Sequence, residues 1–82
     1  SKKEAFPSVS RQNPTENCRM IHIQNPHDLK IRTDKFLAEQ LSVSRSKIKR
    51  LFTEGLLRGS NIENLEKIHL PRSLTVLLDM DL

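Results

Sequence analysis

Apolar positions along this chain follow two different periods, and the switches between them mark out its parts. From Cys18 to Gln24 the pattern alternates, with Ile21 and Ile23 set against Met20, His22 and Gln24, and it stops at Asn25 and Pro26. Alternation of that kind predicts a short, half-buried strand closed by a turn. The spacing then becomes helical. Phe36, Leu37 and Leu41 fall on one side of a helix that Thr33 or Asp34 can cap and that runs to about Leu41. Ser42, Val43 and Ser44 interrupt it, and Ser44 is placed to cap a second helix from Arg45 to Glu54. Ile48, Leu51 and Phe52 form the buried stripe of that helix, and Gly55 is the residue best suited to a left-handed stop.

Beyond Gly55 the pattern reads as β, with a short strand at Leu56 to Arg58 and a longer one at Leu74 to Leu78. The stretch from Ile62 to Leu70 suits either a strand or a helical turn. Residues 1–17 hold two prolines and isolated apolar side chains, so their burial cannot offset their conformational entropy, and they read as a flexible leader. The expected architecture is therefore α+β: two packed N-terminal helices followed by a small, mostly antiparallel sheet, behind a disordered leader. The domain is expected over residues 18–82, with its core at about 30–78.

Charge adds a functional direction. Lys30, Arg32, Lys35, Arg45, Lys47, Lys49, Arg50 and Arg58 face only Asp34, Glu39 and Glu54 between positions 30 and 58, a local balance of +5 in a chain of net charge +4. An excess concentrated on two helices can build a positive field that a polyanion would meet, whereas a solvated helix face is the plain alternative. On the second helix, at about 100° per residue from Ile48, Lys49 lies near 100°, Arg50 near 200° and Lys47 near 260°. These cations cover the whole solvent side, so no single flat ligand touches all three.

Catalytic signatures are missing. There is no CxxC pair, HExxH motif or nucleophile elbow, and two glycines cannot build a phosphate loop. His22, His27, His69 and Cys18 lack the local spacing of metal ligands. Asp79 reads as a solvated charge together with Asp81. Asp34 reads as a helix N-terminal carboxylate that orients Arg32 through an ion pair. A single cysteine excludes an internal disulfide and suits a reducing, cytoplasmic setting, and no run of eighteen apolar residues could span a membrane.

Nucleic-acid binding requires cations that reach phosphates and polar groups that set register. Ser44, Ser46 and the first amides of the second helix can donate to a phosphate, and Arg45 can add a bidentate contact. With no Trp or Tyr, and with Phe36 and Phe52 on buried stripes, a single-strand stacking platform is disfavoured. Recognition of a folded duplex or loop through its shape and backbone is favoured.

Three separated motifs, Arg32-Thr33-Asp34-Lys35-Phe36-Leu37, Ser44-Arg45 and Gly55-Leu56-Leu57-Arg58, resemble the RNA-binding domain named after small-subunit ribosomal protein S-four. Within that family the wording is most similar to the N-terminal domain of large-subunit ribosomal RNA pseudouridine synthases. The resemblance implies that Arg32, Lys35, Ser44, Arg45 and the exposed cations of the second helix face structured, ribosomal RNA, and that any catalytic domain belongs to a separate unit of a larger parent. The full candidate set for RNA is Arg32, Lys35, Ser44, Arg45, Ser46, Lys47, Lys49, Arg50 and Arg58. No catalytic residue, metal ligand, cofactor, small-molecule substrate or membrane partner is expected, and the isolated domain is expected to be a monomer. Two rivals remain. Ala38, Val43, Ile48 and Leu51 also fit a helix-turn-helix DNA reader, and a protein-interaction module could carry cations for solubility alone.

Overall fold

A computed structural model describes residues 7–60 and 64–80. Its elements in chain order are the strands β1 (Ser8–Thr15) and β2 (Cys18–Gln24), the helices α1 (Thr33–Leu41) and α2 (Arg45–Thr53), the strand β3 (Leu57–Gly59), a 3-10 turn at Leu65–Lys67 and the strand β4 (Ser73–Leu78). All strand pairs are antiparallel, and the four-stranded sheet has the order β1-β2-β4-β3.

The helix-first architecture expected from the sequence is thus corrected, because two strands precede the helix pair. The flexible leader is corrected with it. Residues 8–15 form β1, pairing Val9 with Ile23 and Arg11 with Ile21, while residues 1–6 lie outside the described residues. Only Val9 of this strand packs on the core and the rest is exposed apart from it, so its stability comes from backbone pairing that hydrophobic pattern cannot reveal. Pro14 falls where the register shifts between Gln12 and Thr15, at the open edge of the sheet where a missing N–H is tolerated.

The elements read from periodicity form close to their expected limits. In β2 and β4, Ile21 lies opposite Val76 and Ile23 opposite Leu74, and all four are buried. Phe36, Leu37 and Ala38 of α1, with Ile48 and Leu51 of α2, close over that face and join Leu57, Leu65, Leu70 and Leu78 in one cluster. The ambiguous stretch holds the 3-10 turn, with residues 61–63 outside the described residues. No helix among the described residues is long and apolar enough to cross a membrane.

Capping explains where the helices begin and end. The Ser44 hydroxyl accepts from the Lys47 amide at 3.1 Å and opens α2. At its far end Gly55, at φ 77°, donates to the Phe52 carbonyl while Leu56 donates to that of Leu51, the paired bonds of a Schellman stop. Helix α1 ends the same way through Ser42 at φ 58°, with Val43 donating to Ala38. Its start differs from expectation. Arg32 occupies the cap position but its side chain makes no capping bond, and among the described residues the buried Thr33 hydroxyl has no partner.

Asn25, read from sequence as a turn residue only, is fully buried and joins three segments. Its amide group donates to the carbonyls of Leu29 (3.1 Å) and Leu70 (3.2 Å), and its side-chain oxygen accepts from the Leu29 N–H at 3.1 Å. Its own backbone N–H donates to Arg72 at 2.7 Å. Asn25→Ala leaves buried carbonyls and an amide unsatisfied, and is expected to cost about 2–3 kcal/mol in urea unfolding. Gly55→Ala is expected to cost about 1 kcal/mol through its positive φ alone, since a Cβ there meets nothing within 4 Å. Both values can be read from denaturation midpoints at constant m.

Candidate nucleic-acid interface

The start of α1 and the start of α2 meet at a single buried carboxylate. Asp34 has no solvent exposure, and its Oδ1 accepts from the Lys35 amide at 2.7 Å. Its Oδ2 is shared by Arg32 Nη2 at 3.4 Å and Arg45 Nη2 at 3.3 Å. Arg32 precedes α1 and Arg45 opens α2, so one anion ties the two helices together across the short connection between them. The two arginine side chains remain 46% and 50% exposed.

Burial raises the carboxyl pKa of Asp34, but the Lys35 amide and the charges of Arg32 and Arg45 lower it by more, leaving it below the usual carboxylate range. The ion pair between Asp34 and Arg32 read from the sequence is therefore present, and the link to Arg45 was not foreseen.

From this junction the cations spread unevenly. With Ile48 buried, Arg45 falls near 60° around α2, Lys49 near 100°, Ser46 near 160° and Arg50 near 200°, an arc of roughly 140° on which all four side chains are exposed. Arg45 and Lys49 stand one helical turn apart, as do Ser46 and Arg50. Lys35 is exposed in the first turn of α1. The structure brings Arg32, Lys35, Ser44, Arg45, Ser46, Lys49 and Arg50 onto the helix-pair surface. Lys47 is half-buried on the opposite flank of α2. Arg58 lies on β3, beyond the far end of α2, in an ion pair with Asp79.

The Arg58 side chain raises its own pKa by that bond and by the charge of Asp79. Asp79 is lowered first by the Arg58 bond and then by a bond from Cys18, against the opposing effect of burial. Asp79 is therefore a paired carboxylate and not the solvated charge read from sequence, and Asp81 lies outside the described residues. Cys18 is a free thiol raised by burial first and by Asp79 second.

Residues distant in sequence complete the surroundings. Arg11 of β1 donates through Nη2 to the Gln40 carbonyl at 2.7 Å, satisfying a carbonyl of the last turn of α1. Exposed His69 sits directly opposite Arg32 in an isolated antiparallel bridge, flanked by backbone bonds from Thr33 to Ile68 and from Leu70 to Ile31. That pairing sets the imidazole beside the arginine on one side of the backbone, with Cβ atoms about 5 Å apart. Exposed Lys67 lies on the 3-10 turn, which packs on both helices. Neither pairing has a local signal, since Arg11 and Gln40 stand 29 positions apart and Arg32 and His69 37.

These features define a small α+β domain with a cationic helix pair carried on one face of an antiparallel sheet. Residues 6–63 match the family described as a protein of unknown function (DUF1062), and the chain belongs to that family. No curated protein and no solved structure matches it. The resemblance to the S-four-type RNA-binding domain and to pseudouridine synthases is corrected by this result, because neither is matched. The motifs behind it have local physical causes: Ser44 is a helix cap, Gly55 a left-handed stop and Asp34 a helix-start carboxylate. Any helix pair with these ends would carry similar short words.

The lowered pKa of Asp34 predicts a pH dependence of known sign. A carboxylate depressed in the folded state contributes stability that is complete above its unfolded value, about 3.9, and that is lost as pH falls through the lower folded value. Urea midpoints of the wild type should fall across that acidic window. In Asp34→Asn the fall should be shallower, the remainder coming from Asp79, which shifts in the same direction.

Proposed function

We propose that this domain binds structured RNA through backbone phosphates, using the surface formed by the start of α1 and the outer arc of α2. The observation that carries the reading is the state of its cations. Lys35, Lys49 and Arg50 are exposed and have no acidic partner among the described residues, whereas Lys30 and Arg58 are each paired with a carboxylate. These cations flank the Arg32 and Arg45 pair in sequence, Lys35 in the first turn of α1 and Lys49 and Arg50 on the exposed arc of α2. Serine hydroxyls at 44 and 46 add short donors between them.

Two considerations favour RNA over duplex DNA. The cationic centre lies at the junction of two helices and draws on a residue before α1, while a groove-reading helix carries its contacts along its own protruding face. Among the described residues the surface also offers no exposed Trp, Tyr or Phe for base stacking, and so suits a phosphate lattice recognised by shape. In this reading the chain binds and does not catalyse, and works in the cytoplasm, where the free thiol of Cys18 persists.

A competition titration tests it with an RNA hairpin, duplex DNA of equal length and an unstructured RNA. The hairpin should bind most tightly, with log affinity falling against log salt by about 0.7–0.9 per phosphate neutralised. Arg45→Ala combined with Arg50→Ala should weaken binding at least tenfold. A preference for duplex DNA, or an affinity independent of salt, sinks the reading.

A further inference from the structure

We propose that Asp34 is a positioning residue for phosphate recognition: from its buried site it sets Arg32 and Arg45 as a two-armed guanidinium clamp for one backbone phosphodiester. This rests on the RNA reading above and adds to it the group that orders the contact.

The geometry has three relevant parts. The carboxylate cannot swing freely, because Oδ1 is held by the Lys35 amide at 2.7 Å while the side chain is wholly buried. Its other oxygen then presents a fixed point to which Arg32 and Arg45 each turn one terminal nitrogen, at 3.4 Å and 3.3 Å. A guanidinium carries five N–H donors in a rigid plane, so anchoring one nitrogen orients the others. Half of each arginine side chain stays at the surface, where a ligand can approach.

Charge supports the same role. A surface that worked by its field alone would gain from losing Asp34, because an anion at its centre lowers the local potential. The anion is useful there only if order counts for more than charge. The clamp also spans two helices, so its shape is fixed by their packing and not by one flexible side chain. Lysine could supply the charge but not the planar fork.

Opposite signs make the proposal testable. Asp34→Asn keeps the size of the side chain and its amide-accepting oxygen while raising the net charge by one. Glu39→Gln, at an exposed position of α1, raises it equally. Affinities for one RNA hairpin at fixed salt should show Glu39→Gln equal to or tighter than wild type and Asp34→Asn weaker by about tenfold. Arg45→Lys, which conserves charge, should bind about fivefold more weakly while the domain stays folded by circular dichroism.

Asp34→Asn binding as tightly as wild type or more so overturns the positioning role and leaves the RNA reading standing. Should Asp34→Asn fail to fold, Arg45→Lys decides: wild-type affinity there overturns the clamp. A wild-type domain that does not bind the hairpin at low salt removes the RNA reading and the clamp together.

Discussion

The ladder between β2 and β4 is the constraint on which the rest of this domain depends. It joins residues some fifty positions apart, with His22 opposite Thr75 and Gln24 opposite Ser73, and the whole helix pair lies in the chain between them. Closing so long a loop costs entropy before any contact is returned. The compensation comes from one buried face, where Ile21, Ile23, Leu74, Val76 and Leu78 meet the apolar stripes of both helices. Because alternation permits only one register to bury that set, the ladder also decides which way the helices face. Asn25 reinforces the closure by bonding the end of β2 to the segment that leads into β4.

That closure produces the cationic surface. Once α1 and α2 are pressed onto the same sheet, their starting turns adjoin, and a carboxylate from one can serve arginines from both. The buried position of Asp34 would be costly for an unpaired anion, and it is tolerated because an amide and two guanidinium groups satisfy it. The same packing separates cations that look equivalent in sequence. Arg45 and Lys49 share a strip, Lys47 is turned to the far flank, and Arg58 is drawn onto the sheet by Asp79.

How much of this was legible follows from the range of the forces involved. The α2 cap at Ser44, the stop at Gly55 and the stripe of Ile48 and Leu51 are set by residues within a turn of one another, and they stand where the pattern puts them. Strand β1 was invisible because its stability lies in backbone pairing and only Val9 marks its buried side. The Asn25 latch was invisible because two of its partners, Leu70 and Arg72, come from the other end of the chain. Motif resemblance misled for the opposite reason. Short words such as Ser44-Arg45 and Gly55-Leu56 reflect the chemistry of helix ends, which many unrelated helix pairs share.

What the sequence determined by itself was local: the helices and their limits, the alternation of β2 and β4, the concentration of charge between positions 30 and 58, and the Asp34 to Arg32 ion pair two residues apart. Tertiary structure decided the order and membership of the sheet, the meeting of Arg32 with Arg45, the bridge between Arg32 and His69, and which of the described cations lack an acidic partner. The division is physical. Capping, periodicity and neighbouring charges act within a few residues and are written in adjacent letters. Sheet pairing and the burial of Asp34 depend on which distant segments are brought together, and only the closed ladder specifies that.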